Sequence, residues 1–213
     1  MKNVDIKKYI RNQVISQITG YILVILLFFL LAIYVLLNES VRKDVCGLLI
    51  ILSFFSLYVL YKMYDVVFIL FDIEKHKLFK KFGCVNNVER IVLEAMNNFL
   101  YEDERIWITK NYLIFRNDYT KIVNLQKVLA IYGYVHSINI TTTGKGIVLI
   151  DEYGEEFLIY YPYIPFYTVK KLQRLFDILL PLCPKAHVGY SPKTLRYIEE
   201  NITPLNLNCN EKS

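Results

Sequence analysis

The chain has 213 residues, 54% of them hydrophobic, and its mean hydropathy of +0.31 is higher than a soluble domain normally shows. This length leaves room for one globular domain and a membrane anchor, and it excludes two large soluble domains. The net charge of +5 combines basic residues around the apolar segments with a soluble part of interspersed signs, so it predicts no nucleic-acid partner.

Two uncharged runs near the start predict a transmembrane hairpin over residues 1–71. The first, YILVILLFFLLAIYVLL, covers 21–37 and extends back to Val14, and the second, VCGLLIILSFFSLYVLY, covers 45–61. A bilayer span requires roughly 20 residues, so we expect spans at about 14–37 and 45–63. The short link at 38–44 makes the two helices antiparallel. The first apolar core is too long for a cleaved signal peptide, and no small-x-small site follows it.

Basic residues at the outer ends of both spans predict the orientation. They are Lys2, Lys7, Lys8 and Arg11 before the first span and Lys62, Lys75, Lys77, Lys80 and Lys81 after the second, against Arg42 and Lys43 in the link. Because Lys and Arg are retained on the cytosolic side, we expect a multi-pass protein of the cell membrane with both termini in the cytosol. Lys62 and Asp65 lie three residues apart on one helical face near the bilayer boundary, where a topological role is the simpler interpretation.

A basic juxtamembrane segment, 72–84, follows the hairpin. Its candidate lipid-binding residues are Lys75, Lys77, Lys80 and Lys81. Clusters of this kind attract anionic headgroups, although the same lysines also serve the orientation rule.

The remaining chain predicts a cytosolic domain over 85–201 and a loose tail over 202–213. Its first element is an amphipathic helix at 85–101, ended by the acidic cluster Glu102 to Glu104. About seven strands should follow, at 105–109, 112–116, 121–125, 127–134, 136–141, 146–151 and 155–161, with TTTGKG (141–146) as a hairpin turn. A long helix after Pro165 and a short one capped by Ser191 complete the domain. The fold class is therefore α+β and membrane-anchored.

Seven antiparallel strands closed by a C-terminal helix resemble a pleckstrin-homology (PH) domain. The resemblance rests on ITKNYLIF (108–115), KIVNLQKVLAIYGY (121–134) and GIVLIDEYGEEFLIYY (146–161). Together with HKLFKKFG (76–83) and PKAHVGYS (184–191), these segments are similar to uncharacterised bacterial two-span membrane proteins with a PH-like domain. In lipid-binding PH domains, basic residues of the first hairpin loop hold an inositol phosphate. Here that loop is only Lys110 and Asn111, so the resemblance implies a fold and no ligand.

No pattern in the sequence predicts catalysis, a cofactor or a metal. The four cysteines share no C-x-x-C spacing, and the three histidines are isolated. The aromatic run YYPYIPFY supplies the candidate partner-binding residues, which are Tyr160, Tyr161, Tyr163, Phe166 and Tyr167. The same rings could instead seal the barrel.

Three functions remain open from the sequence. The first is a non-catalytic adaptor or accessory subunit for a protein partner, with homo-oligomerisation also possible. The second is a sensor of anionic lipid or envelope state through the juxtamembrane lysines. The third is an enzyme whose site forms only in the fold, for example from His136 and a carboxylate.

Overall fold

The computed structural model describes residues 5–37, 39–138, 141–162, 164 and 167–204, and it leaves out the side chains at 36, 39–52, 65, 138 and 141. The chain divides into two compact units, Met1–Phe79 and Lys80–Ser213. Tyr163 and Phe166, two of the predicted partner-binding residues, and the tail from 205 lie outside the described residues.

The first unit contains two long helices, α1 (Ile6–Leu37) and α2 (Glu39–Phe71). By length and composition both can cross a membrane: Ile6–Val35 has a mean hydropathy of 2.7 and Ser53–Phe71 of 1.6. They pack antiparallel, with Phe28 edge-on to Phe55 at a centroid distance of 5.2 Å.

Most of the predicted link, 38–44, is helical, because α2 begins at Glu39. Glu, Arg and Lys within ESVRKD are good helix formers and extend α2 backwards. At the other end, α2 runs past Lys62 to Phe71. Lys62 lies over the Tyr58 and Tyr61 rings, while the side chain of Asp65, its predicted partner, lies outside the described part.

A 3₁₀ turn at Ile73–Lys75 and α3 (Lys77–Phe82) connect the two units along the chain. The second unit continues with α4 (Val85–Asn97) and four short strands. These are β1 (Tyr101–Glu102), β2 (Ile106–Ile108), β3 (Tyr112–Phe115) and β4 (Asp118–Asn124). They form an antiparallel sheet in the order β1-β2-β3-β4.

A second sheet has the order β7-β6-β5-β8. Its strands are β5 (Val128–Ile138), β6 (Thr141–Asp151), β7 (Glu156–Pro162) and β8 (His187–Val188). The predicted plan of about seven antiparallel strands is therefore wrong. Within the described residues there are eight strands in two sheets, and β8 pairs with β5 in parallel.

Two further differences arise in the hairpin of β5 and β6. The expected strands at 127–134 and 136–141 are largely one strand, β5, because Tyr134 and His136 keep their pairing with β6 without interruption. The predicted turn TTTGKG is instead part of β6. Its glycines serve close packing: a Cβ on Gly144 would lie 2.0 Å from the hydroxyl of Tyr160, and one on Gly146 would lie 2.4 Å from the Ile159 carbonyl oxygen.

Two helices cover the sheets of the second unit. Helix α5 (Tyr167–Leu182) buries Leu172, Leu175 and Leu179 in the main core with Ile131. Helix α6 (Pro192–Asn201) places Ile198 in a smaller cluster on the second sheet. The predicted Ser191 cap is confirmed, since its hydroxyl accepts a hydrogen bond from the Thr194 N–H at 3.1 Å.

Candidate functional site

An open cleft of about 690 Å³ lies in the second unit, between the start of the first sheet and the first half of α5. One wall is the segment 99–104. The other wall is formed by Tyr167, Lys170, Lys171 and Arg174 of α5. These residues are referred to below as the cleft.

The first wall begins where α4 ends. The helix stops at Asn97 rather than at 101, because the next residues join β2: the Leu100 N–H donates to the Ile108 carbonyl at 2.7 Å. The prediction that the acidic cluster Glu102 to Glu104 ends the helix is therefore wrong. Phe99 and Leu100 bridge the helix and the strand with 43% and 63% of their surface exposed, so this wall presents apolar side chains to solvent.

Asp103 is the centre of a buried hydrogen-bond network at the base of the cleft. One carboxylate oxygen accepts the backbone N–H groups of Arg105 (2.8 Å) and Ile106 (3.0 Å), which fixes a tight turn after β1. The other oxygen accepts the hydroxyls of Tyr101, at 3.3 Å, and Tyr161. Burial raises the pKa of Asp103, but these hydrogen bonds and the charge of Lys171 outweigh it and hold the pKa below its ordinary value.

Lys171 joins the two walls. Its ammonium lies 3.3 Å from Asp103 and 2.8 Å from Glu104, and 4.3 Å from the centroid of the Tyr161 ring. Burial lowers the pKa of Lys171, yet the hydrogen bond that Lys171 donates to Glu104 and the charge of Asp103 raise it overall. The Tyr161 hydroxyl has a raised pKa, first because of burial and then because of its hydrogen bond with Asp103. At neutral pH the network is therefore a protonated tyrosine and lysine around an ionised aspartate.

Glu102 is held from outside the cleft. It pairs with Arg116 at 2.8 Å and accepts the indole N–H of Trp107 at 3.2 Å. Arg116 also donates to the backbone carbonyl of Asp103 at 2.6 Å. Glu102 is thus paired with Arg116, whereas Asp103 and Glu104 share Lys171.

The cations at the rim of α5 differ from Lys171. Lys170 and Arg174 are exposed, and no carboxylate among the described residues forms an ion pair with either. The Arg174 guanidinium lies 5.9 Å from the centroid of the Tyr101 ring, and Tyr167, 59% exposed, begins the helix beside them. The cleft therefore combines exposed apolar groups with two cations that form no ion pair with a carboxylate of the described residues.

The aromatic residues expected to bind a partner do not share one surface. Tyr160 and Tyr161 are consecutive in β7 and point to opposite faces. Tyr160 lies over Gly144 and donates to the Thr143 carbonyl at 3.2 Å, whereas Tyr161 is 3% exposed and lies in the main core. Of the described members, Tyr167 alone lines the cleft.

The four lysines expected to bind lipid also have different surroundings. Lys75 is exposed, pairs with Asp72 at 3.4 Å and lies over the Phe68 ring at 4.9 Å. Lys77 is exposed and Lys80 half-buried. The side chain of Lys81 is 4% exposed, with its ammonium 2.6 Å from both Asp151 and Glu155. Lys81 is thus committed to an internal ion cluster rather than to solvent.

The sequence patterns missed most of the cleft. No binding role was predicted for Phe99 or for the cations of α5. The usable signal was the spacing of Lys170 and Arg174, since residues four apart lie on one side of a helix. The acidic cluster pairs with α5 through residues that lie 67 positions apart in the chain, Glu104 and Lys171. A local sequence pattern cannot predict such a contact.

The histidine considered as a base contacts a hydroxyl rather than a carboxylate. The Nδ1 of His136 lies 2.6 Å from Oγ1 of Thr143, and the Tyr134 and Tyr160 rings flank it. No group of three or more His, Cys, Asp or Glu side chains that could hold a metal occurs within the described ranges.

Comparison with protein-family models, with curated proteins and with solved structures finds no match to this chain. The resemblance to PH-like two-span proteins remains a prediction from the sequence.

Proposed function

We propose that this protein is a membrane-anchored, non-catalytic binding module. In this proposal α1 and α2 cross the bilayer, both termini face the cytosol, and the second unit binds a segment of a protein partner in the cleft. The partner segment carries an apolar side chain next to a carboxylate. The module then acts as an adaptor or accessory subunit at the membrane.

The anchor is supported by helix length, hydropathy and charge placement. The apolar parts of α1 and α2 reach 30 and 19 residues. Lys and Arg lie mainly at the ends of the hairpin that carry the termini, which supports a cytosolic location for these ends.

The observation that supports the binding function is that the cleft has exposed apolar side chains next to cations without an internal carboxylate partner. Exposed Phe99, Leu100 and Tyr167 offer apolar contact, and Lys170 and Arg174 offer positive charge with no internal carboxylate. A ligand with both features gains hydrophobic contact and charge-assisted hydrogen bonds at one site. The network around Asp103 holds the walls in place, which reduces the ordering cost of binding.

A peptide segment fits this cleft better than a small polar metabolite. The site is open, and its lining on α5 runs from Tyr167 to Arg174, with Lys170 and Arg174 about one helical turn apart. An extended segment reaches both the apolar wall and the cationic rim. A compact polar molecule leaves the exposed apolar side chains uncovered.

The test is affinity purification of the full-length protein from native membranes after crosslinking. We expect a stoichiometric protein to co-purify, and we expect Tyr167→Ala or Arg174→Glu to remove it. The matched control is Tyr190→Ala, because Tyr190 is a similarly exposed aromatic residue, 66% exposed, outside the cleft. Equal recovery of the partner with the cleft variants and the control would exclude the cleft as the binding site.

A further inference from the structure

One edge of the second sheet is only partly occupied. On one side, β5 pairs with β6 from Val128 to Ile138, with register shifts at Val128/Ala130 and at His136/Ser137. On the other side, β8 pairs with β5 only at Ala130 and Ile131. Among the described residues, no strand pairs with this edge from Tyr132 onwards.

The direction of the backbone groups on this edge follows from one hydrogen bond. The Ile131 carbonyl accepts the Gly189 N–H at 2.9 Å, so the polar groups of Ile131 point away from β6. The register shift at His136/Ser137 leaves the extra residue, Thr143, on β6 and none on β5. Because direction alternates along a regular strand, the N–H and C=O groups of Gly133, Val135 and Ser137 point the same way. All three residues are exposed, Val135 by 58%. The backbone N–H and C=O groups of these three residues can therefore form hydrogen bonds with a further strand.

This edge also lacks two of the features that prevent strand addition. Charged side chains and prolines protect exposed edges in most sheets. The outer strand β7 has Glu156 and Pro162, and β4 has Asp118 and Lys121. Residues 133–137, GYVHS, contain neither a Lys, Arg, Asp or Glu nor a proline.

We propose that a second copy of this chain pairs with this edge, antiparallel, about a two-fold axis at Val135. Val135 then faces Val135 of the second copy, and Gly133 of each copy faces Ser137 of the other. Each of these three residue pairs exchanges two N–H···O bonds, and the second sheet continues across the interface.

The strand is complementary to itself in size. Gly133 has no atom within 4 Å of a Cβ built on it, and Ser137 is small, so the two Val135 side chains have room between them. On the other face, Tyr134 faces His136 of the second copy, a cross-strand aromatic pair. No like charges meet across the axis. A second copy satisfies every outward backbone group with one symmetric contact.

Cysteine crosslinking in native membranes tests the geometry. The full-length protein carries Val135→Cys, with Cys46, Cys84 and Cys209 replaced by serine and the buried Cys183 retained. We expect mild oxidation to give a species of twice the monomer mass. The control Leu158→Cys on β7, 39% exposed, should give none. A Val135→Cys protein that stays monomeric, or that links to a different protein, overturns the proposal.

The antiparallel register has its own test. Gly133→Cys should link to Ser137→Cys when the two variants are co-expressed, and more strongly than either links to itself. Self-linking of Gly133→Cys at equal strength would indicate a parallel contact and contradict the axis at Val135.

A charge at the axis gives a second, independent measurement. Val135→Lys puts two cations opposite each other, which should weaken the dimer by roughly tenfold or more, while Val135→Thr keeps it. The dissociation constant is measured in nanodiscs or detergent. Fluorescence of Trp107, the single tryptophan, should be unchanged in both variants, which shows that the second unit is folded. A Val135→Lys dimer as tight as the parent overturns the proposal.

Discussion

Two buried lysines of the second unit, Lys81 and Lys171, have similar neighbours. The ammonium of Lys81 lies 2.6 Å from two carboxylates, those of Asp151 and Glu155. That of Lys171 lies 3.3 Å and 2.8 Å from Asp103 and Glu104. Each also lies over an aromatic ring, at 4.8 Å from Tyr153 for Lys81 and 4.3 Å from Tyr161 for Lys171. By composition alone, the two clusters are nearly the same.

They differ in how much of the second carboxylate reaches solvent. Glu155 is 30% exposed, whereas Glu104 is 64% exposed and lines the cleft. Lys81 belongs to a closed cluster, in which each charge is needed to compensate another. Lys171 belongs to an open cluster, whose Glu104 reaches solvent in the cleft. If the cleft binds a partner as proposed, Lys171 contributes to binding and Lys81 to stability alone.

The largest expected effect is from Lys81→Met. This change leaves Asp151 buried without its cation, and breaking a buried ion pair from one side costs about 3 kcal/mol. Urea unfolding of the full-length protein in detergent, followed by Trp107 fluorescence, measures it, because Trp107 is 7% exposed and reports on the second unit. Lys170→Met, at an exposed position, is the matched control and should change stability by less than about 0.5 kcal/mol. Equal effects of the two variants would contradict the closed cluster.

Asp103→Asn should cost about 2 kcal/mol, because the ionised carboxylate accepts several hydrogen bonds that a neutral amide replaces only in part. The effect should depend on pH. The pKa of Asp103 in the folded protein is lowered from 3.8, so its contribution is full above 3.8 and is lost as the pH falls through the lower folded value. Unfolding free energies of the parent and Asp103→Asn should therefore converge below pH 3.8. A constant difference between pH 7 and pH 2 would show that Asp103 is not held ionised as described.

Tyr161→Phe should cost about 1.5 kcal/mol. It removes the hydroxyl that donates to Asp103 and keeps the ring beneath Lys171. The change should also raise the pKa of Asp103, which moves the acid-induced loss of stability towards higher pH. Titration of Trp107 fluorescence during acid unfolding measures the shift. An unchanged acid transition would mean that the hydroxyl does not stabilise the carboxylate.

The smallest expected effect on stability is from Lys171→Met, at about 1 kcal/mol, since Glu104 is exposed and Asp103 keeps its other hydrogen bonds. Its effect on partner recovery should be larger than that of Lys81→Met at a temperature where both variants are folded. Co-purification yields normalised to the folded fraction provide the measurement. Loss of the partner from Lys81→Met alone would reverse the assignment of the two clusters.

The sequence predicted those parts of the fold that depend on local pattern. The apolar helices, the Ser191 cap and most strands of the second unit follow from periodicity, turn residues and capping chemistry. The division of the strands into two sheets and the parallel strand β8 were not predicted. A two-residue strand such as β8 has no periodicity of its own, and its position is fixed by the strand it pairs with.

The site was predictable only in part, for a related reason. Tyr167 was predicted to bind a partner because aromatic residues favour interfaces, and it lines the cleft. Tyr160 and Tyr161 lie elsewhere because β7 alternates between faces. Lys81 was grouped with exposed lysines because the segment is uniformly basic, while its partners are 70 and 74 residues away. Burial of one charge in a basic run depends on tertiary contacts alone.

The most direct test of the binding function is site-specific photo-crosslinking in native membranes. A photoreactive phenylalanine analogue is placed at Tyr167 in the cleft and, as the control, at Tyr190 outside it. We predict one crosslinked protein from position 167, reduced by Arg174→Glu, and none from position 190. The same product from both positions, or a product from position 167 that Arg174→Glu leaves unchanged, would contradict a partner site in the cleft.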